Sequence, residues 1–517
     1  MVTRTTGELQ RAGDAAKSTS PRRGGVRAWL GDPAGKPLWL GFTGSVVILL
    51  GALGAGGVLV HDPVLEGTPL VAWRFGHGYD LAVMTTYLGL ALEVWAWVLL
   101  GREVIAHRAG ARGVLTTALV WILPILISPP LFTRDPYSYL AYGELPLRGF
   151  DPYSHGPSVL SGPILDNVHP FWRDTPGMYG PLFIAISKAV VSVTGENMIA
   201  GVLALRLILV LGLIPLVAAI PGLCRHLGGR VPTALWIIVA NPVMLVVLIG
   251  GPHNDLLVIG FLSLGALLVL NRREASGIAL VTLAVAVKGT AALALPFLVL
   301  VWATRFTGTR RVRILKASAA GLAVFVEIFV LCSLIGQVGL GWLVALNAPT
   351  QIVNWLSLPT GVGQILFNLT HVLFNGVVEA PFTIATRVLG VLGFLYLAVK
   401  QWLAARDGGP DAVRRAGVVL LLFALLSPAT LPWYYTWGAV LLATTTATVR
   451  RMQIALLASV FLIISAFPDG EIALYSFGYL LLVMTGAAIA AIALRTPDPR
   501  KLRALASSPE PAAAPDQ

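Results

Sequence analysis

From Leu38 almost to Arg495 the chain repeats apolar stretches of about 20 residues, the length that crosses ~30 Å of hydrocarbon as helix. Hydrocarbon offers backbone groups no water, so a spanning segment must satisfy its own N–H and C=O groups, and helices do this. The composition agrees: 56% of the 517 residues are hydrophobic and 12% charged, against roughly 25% charged for a soluble domain. The expected fold class is an all-α polytopic membrane protein. Crossings are expected near 38–60, 80–100, 114–132, 198–223, 232–251, 254–271, 314–336, 382–405, 416–430, 433–449, 452–467 and 472–494, about 12 in all. Two apolar stretches fit differently. Residues 181–194 are too short to cross, and residues 277–303 have arginine-rich flanks on both sides, which predicts a short-helix, re-entrant hairpin with Lys288 near its tip.

A net charge of +12 raises the question of a nucleic-acid partner. Of the 37 Lys and Arg, 29 fall in the N-terminal tail, alternate turns and the C-terminal end, the distribution that the positive-inside rule assigns to the cytoplasm. Basicity therefore records topology, and no nucleic-acid partner is expected. Both termini are expected in the cytoplasm, as disordered tails at 1–37 and 496–517 flanking a transmembrane catalytic domain at 38–495. Cys224 and Cys332 lie too far apart in this topology for a disulfide. The non-cytoplasmic side receives the connections 133–180, 337–381 and 428–438. The first is long and rich in aromatics, including Tyr137, Tyr139, Tyr153, Trp172 and Tyr179, which argues for ordered short helices and turns.

Within that loop "RDPYSYLAYGELPLRGFDPYSH" carries Asp-Pro-Tyr-Ser twice, at Asp135 and Asp151. Either aspartate can be local architecture, a helix cap or a turn. A carboxylate at the water–membrane boundary can also act as a general base. "GGPHNDLL" places His253, Asn254 and Asp255 at the start of a span, where they can cap it or hold a sugar or phosphate. Lys288 and Arg206 lie within apolar stretches, where a cation is costly and marks a functional hypothesis, here an anionic headgroup or leaving phosphate. Snorkelling, or pairing of Lys288 with Glu327, is the structural alternative. "LPWYYTWG", with Trp433 and Tyr434, is either an interfacial belt or a stacking wall for a sugar. The sequence has no Walker loop, dinucleotide fingerprint, Ser/Cys elbow or Asp-x-Asp metal clamp, so a transferred group is expected to arrive on a lipid.

The segments "RDPYSYLAYGELPLRGFDPYSHGP", "FWRDTPGMYGPLF", "VTGENMIAGVLALRL", "ANPVMLVVLIGGPHNDLLVIGF", "AVAVKGTAAL" and "LPWYYTWG" resemble, in this order, the actinobacterial polyprenol-phosphate-mannose-dependent α-1,6-mannosyltransferases of the MptB type, which have the GT-C glycosyltransferase fold. The resemblance covers most of the chain. It implies transfer of mannose from polyprenyl-phosphate-mannose to a lipid-anchored mannan acceptor, a phosphatidylinositol-mannoside or lipomannan, at the extracytoplasmic face of the plasma membrane. The product would be the α-1,6 backbone of lipomannan and lipoarabinomannan. Asp135 matches the acidic base of the inverting reaction, although Pro136 departs from the aliphatic residue of the family pattern. Lys288, Arg206, His253, Asn254 and Asp255 would serve the donor phosphate. Asp151, Tyr137, Tyr139, Tyr153, Trp172, Tyr179, Trp433 and Tyr434 would serve the acceptor or sugar. No cofactor is implied and a divalent metal is optional. The competing readings are a transporter or flippase of a lipid-linked sugar, and a GT-C transferase for another polyprenyl-phosphate sugar.

Overall fold

The structure, a computed structural model, describes residues 35–345, 351–374, 376–471, 473 and 477–495. The expected tails lie outside the described residues, except that Gly35, Lys36 and Pro37 already belong to the first helix, Gly35–Ala55. The regular elements of the described residues are all helices, and an isolated bridge joins Gly228 and Thr445. Each of the twelve apolar stretches coincides with helix, and so does 181–194, which is the helix Pro181–Thr194. Five helices among the described residues are long and apolar enough to cross a membrane: Gly35–Ala55, Gly76–Ile105, Met198–Leu227, Arg310–Gly336 and Ala380–Ala404. The bent pair Val231–Ile238 and Val243–Gly250 makes a sixth if counted as one span. The other apolar helices are shorter, Tyr435–Leu442 having only eight residues.

The breaks have local causes. The 52° bend between Val231–Ile238 and Val243–Gly250 falls at Asn241-Pro242. Proline removes a backbone donor and its ring clashes with the preceding turn. The Asn241 side chain repairs the loss, donating to the Ile237 carbonyl at 2.9 Å and to Ser459 Oγ at 2.8 Å while accepting from the Val243 N–H. Near the middle of Met198–Leu227, Gly212 lies against the main chain of Asp255–Leu270: a Cβ there would sit 2.4 Å from the Leu256 carbonyl oxygen. Glycine is required for that approach. Asp255–Leu270 is buried along most of its length and forms the centre of the bundle.

The expected break near Lys288 is present. Glu274–Val287 ends there, Lys288 itself is extended, and a 3-10 turn at Gly289–Ala294 leads into Leu295–Ala303. The 133–180 connection is ordered into the helices Asp135–Leu147 and Pro163–Asn167 with short 3-10 turns between and after them. The 337–381 connection differs from a simple loop. It contains the helix Leu358–Leu373, started by Ser357, whose Oγ accepts from the Thr360 N–H. Glycines at 361 and 363 interrupt its apolar pattern, which hides it from a reading by periodicity.

Candidate active site

The two Asp-Pro-Tyr-Ser tetrapeptides fold differently. At the first, Asp135 is not the cap of its helix but its first residue. Its backbone N–H is taken by Thr133 Oγ1 at 3.0 Å, and no side-chain cap is made at the helix start. Asp135 lines a cavity of about 230 Å³ together with Arg134, His169, Trp172, Trp433, Asp469 and Glu471. At the second, the Asp151 carboxylate closes a turn, accepting from the Tyr153 N–H at 3.0 Å and from Ser154 Oγ at 3.1 Å. Asp151 is exposed, forms a turn and is not among the residues lining that cavity.

Around Asp135 the structure gathers residues from four separate stretches of chain. Tyr139, one helical turn on, donates to Oδ2 at 3.4 Å. His253 Nε2 lies 3.6 Å from the same oxygen. The His253 ring is fully buried, its Nδ1 2.7 Å from the Val247 carbonyl and its centroid 3.7 Å from that of Trp433. Asp255, also fully buried, binds Lys288 Nζ through both oxygens, at 3.0 and 2.9 Å, and accepts from the Trp437 indole N–H at 2.6 Å. Lys288 stands over the rings of Tyr434 and Trp437, 5.0 and 5.3 Å from their centroids. Lys288 therefore pairs with Asp255, not with Glu327.

Burial raises the carboxyl of Asp135 to about 6, the Lys288 ammonium pulling it back down and the Asp255 carboxylate pushing it up. Burial lowers His253 to about 3, so its imidazole is neutral at physiological pH. A carboxylate ionised at neutral pH yet basic enough to take a proton is what a general base requires.

A second, larger cavity of about 640 Å³ begins at Lys288 and is otherwise mostly apolar, walled by Leu293, Phe297, Val399, Trp402 and Phe423 among others. The 3-10 turn Pro432–Tyr434 stands between the two: Trp433 lines the polar cavity and Tyr434 the apolar one. One adjacent pair of aromatics thus presents a wall to each space.

Several expected residues have other duties. Arg206 is fully buried, and its guanidinium donates to the carbonyls of Leu126, Ser128, Ile249 and Gly250 at 2.7 to 3.1 Å. These carbonyls lie at the ends of two helices, so in this structure the guanidinium serves as an internal cap. Arg206→Met leaves the Leu126, Ser128 and Ile249 carbonyls without the arginine, while Gly250 keeps the Leu131 N–H, and is expected to cost on the order of 3 kcal/mol or more, read as a lowered melting temperature. A wild-type melt would show the four bonds to be dispensable. Tyr137 points away from Asp135, donating to the Gly57 carbonyl. Tyr153 donates to the Tyr179 carbonyl at 3.0 Å, and the Tyr179 ring packs edge-on against Tyr139, so both support Tyr139 from behind. Asn254 is buried at the start of Asp255–Leu270 and makes no capping bond; both of its amide atoms lack a partner among the described residues.

His169, Asp469, Glu471 and Trp437 were not expected at the site. His169 Nε2 and Glu471 Oε1 lie 3.0 Å apart, within hydrogen-bond distance, and both residues line the polar cavity. The loop at 467–471 reaches the site because Gly470, at φ +102°, lies so close to Thr133 that a Cβ would approach its Cα to 2.7 Å. Among the described residues no three His, Cys, Asp or Glu side chains cluster as metal ligands.

Residues 38–304 match the family model for the alpha-(1->6)-mannopyranosyltransferase N-terminal domain, and residues 359–496 match the MptB C-terminal domain. The chain belongs to this family. Similar to this mannopyranosyltransferase chain is alpha-(1->6)-mannopyranosyltransferase A of Mycobacterium tuberculosis, 40% identical over 484 residues, covering 91% of this chain and 92% of the relative. Alpha-(1->6)-mannopyranosyltransferase A of Corynebacterium glutamicum is 31% identical over 83% of this chain and 92% of its own length. Alpha-(1->6)-mannopyranosyltransferase B of the same organism is 30% identical over 78% of this chain and 72% of its own. The resemblance thus extends to relatives of both the A and the B name. No solved structure matches the chain. Asp135, His253, Asp255 and Lys288 fall in the first matched region and Trp433, Tyr434, Trp437, Asp469 and Glu471 in the second, so the site of this mannopyranosyltransferase draws on both.

Proposed function

We propose that this protein is an inverting α-1,6-mannosyltransferase that takes mannose from a polyprenyl-phosphate carrier and adds it to a lipid-anchored mannan. The observation that carries the donor class is Lys288, a cation at the end of a mostly apolar cavity and beside the polar one that holds Asp135. A prenyl chain suits the apolar walls, and its phosphate suits the ammonium. The sugar on that phosphate then lies toward Asp135 and Trp433. An acceptor mannoside fits the polar cavity, where Trp172 offers a stacking face and Asp469 and Glu471 offer acceptors for hydroxyl groups.

In the step itself, the Asp135 carboxylate takes the proton of the acceptor 6-hydroxyl. The oxygen attacks the anomeric carbon opposite the phosphate, and the phosphate monoester leaves beside Lys288. A β-linked donor gives an α product. Asn254, with an unpartnered amide at the start of Asp255–Leu270, is a further candidate for the leaving group.

The test incubates purified protein with polyprenyl-phosphate-mannose and a short α-1,6-mannoside, and reads linkage by NMR. A new α-1,6 bond is expected; transfer from a nucleotide-mannose, with none from the lipid donor, would reject the donor class. The reading carries a membrane arrangement with it: a GT-C bundle of about 12 crossings, cytoplasmic termini and the site on the outer face of the plasma membrane, where phosphatidylinositol-mannoside or lipomannan is the acceptor. Cysteine placed at Ser161, exposed in the first large connection, should label from outside intact cells, and cysteine at Thr307, exposed beside the basic cluster from Arg305 to Arg313, should not. The reverse pattern would invert the arrangement. Both native cysteines are buried, which limits background labelling.

A further inference from the structure

A role in holding the donor does not account for the contacts of His253. Its Nδ1 lies 2.7 Å from the Val247 carbonyl, which can only accept, so Nδ1 carries the hydrogen. In the neutral ring Nε2 is then a lone pair. That atom is buried without a hydrogen-bond partner among the described residues, and it faces Asp135 Oδ2 at 3.6 Å. Trp433 covers one face of the ring. The ring therefore cannot turn toward the polar cavity without breaking both the Val247 bond and the Trp433 contact. Two acceptors thus confront each other, and only a proton between them makes the contact favourable. Asp135 at the same time lines the polar cavity, where an acceptor hydroxyl can reach it.

We propose that His253 is the proton partner of Asp135: when the carboxylate takes the proton of the acceptor hydroxyl, the carboxylic acid formed donates to Nε2, which holds it in place through the transfer. The catalytic sense of this rests on Asp135 being the base. The step balances without any other reagent. The hydroxyl proton passes to Asp135, the oxygen's electron pair forms the bond to the anomeric carbon, and the carbon–oxygen bond to phosphate breaks with its pair leaving on the phosphate. The imidazole accepts a hydrogen bond and stays neutral; water in the cavity later removes the proton from Asp135. His253 is therefore a positioning residue, acting on substrate only through Asp135. The other charged or titratable groups facing the pair are Lys288 and Asp255, Tyr139, Tyr179 and Tyr434, with Arg134, His169, Asp469 and Glu471 around the cavity.

An acceptor aimed at the acid form favours that form, so His253 contributes to keeping the Asp135 midpoint high. The test is a pH titration of the Asp135 carboxyl by infrared difference spectroscopy on the full-length protein in nanodiscs, the band being assigned by its loss in Asp135→Asn. In His253→Leu the midpoint should fall by about half a pH unit or more, and the acid C=O band should move to higher frequency as its hydrogen bond is lost. An unmoved band and midpoint would overturn the proposal. The wild-type protein gives a second reading that does not depend on the variant folding. Histidine-labelled 15N spectra should show a buried ring protonated at Nδ1 whose Nε2 resonance follows the Asp135 titration, and an Nε2–H tautomer would overturn the pairing. Near-normal turnover in Asp135→Asn would instead sink the base reading and leave the proton pairing standing.

Discussion

Asp135→Asn lowers turnover by about 10²-fold or more, the usual size of a general-base contribution, while donor binding survives. The amide keeps the side chain's size, and the helix start is undisturbed because Thr133, not Asp135, takes the backbone N–H there. A loss of activity in this variant therefore cannot be laid to a lost cap, and its melting profile should match the wild type. Asp151→Asn should change turnover little, since an exposed turn can be closed by an amide as well. The pH profile checks the same assignment. A base must be ionised to work, and burial holds the Asp135 carboxyl at about 6, so turnover should fall as pH drops through that value and level off above it. If Asp135→Asn kept most of its turnover, or if the acid limb persisted unchanged in it, another group would be the base.

Lys288→Met is expected to destabilise the fold by about 3–5 kcal/mol, the cost of stranding one partner of a buried ion pair. Asp255 has no exposure, and after the substitution only the Trp437 N–H would still compensate it. The variant thus confounds folding with binding, and Lys288→Met/Asp255→Asn separates them. The neutral amide still accepts from Trp437 and no longer needs a cation, so the double variant should melt close to wild type. Donor affinity should remain lost in it, because the charge offered to the phosphate is gone. Retained affinity for polyprenyl-phosphate-mannose in the stable double variant would make Lys288 purely structural. A double variant no more stable than the single one would show that the ion pair is not what the substitution disrupts.

The helices were legible in the sequence because their signal is local: each apolar stretch is helical, and the break at Lys288 falls where clustered arginines on both flanks ruled out a simple crossing. Lengths were less legible. Tyr435–Leu442 is half as long as its apolar stretch, since the aromatic turn takes the first two residues and the chain leaves the helix at Ala443 to bridge to Gly228 at Thr445. At the site, Asp135, His253, Asp255, Lys288, Trp433 and Tyr434 could be singled out because each is polar or aromatic where its surroundings are not. Their partners could not be assigned. Lys288 to Asp255 is a contact across 33 residues and Trp437 to Asp255 one across 182, and a single sequence carries no record of such meetings. His169, Asp469 and Glu471 were missed because each lies in a polar turn of ordinary composition, where nothing marks a functional carboxylate apart from a solvated one. Arg206 and Asp151 show the converse: a buried arginine and a repeated aspartate stand out in the sequence, and in the structure each is engaged with backbone groups.

The cluster that Arg206 closes bears on how this chain is put into a bilayer. Its four acceptors lie about 80 residues before it, at Leu126 and Ser128, and about 44 after it, at Ile249 and Gly250. A carbonyl stranded in lipid costs several kcal/mol, and so does the unpaired guanidinium. The end of Ala111–Ile125 and the arginine of the later helix thus satisfy one another only once both are in place. The earlier helix ends unsatisfied until the later one emerges, and the arginine is only half satisfied until 243–250 follows. The arginine's hydrogen bonds are therefore complete only when the segments around 126–128, 206 and 249–250 have all come together.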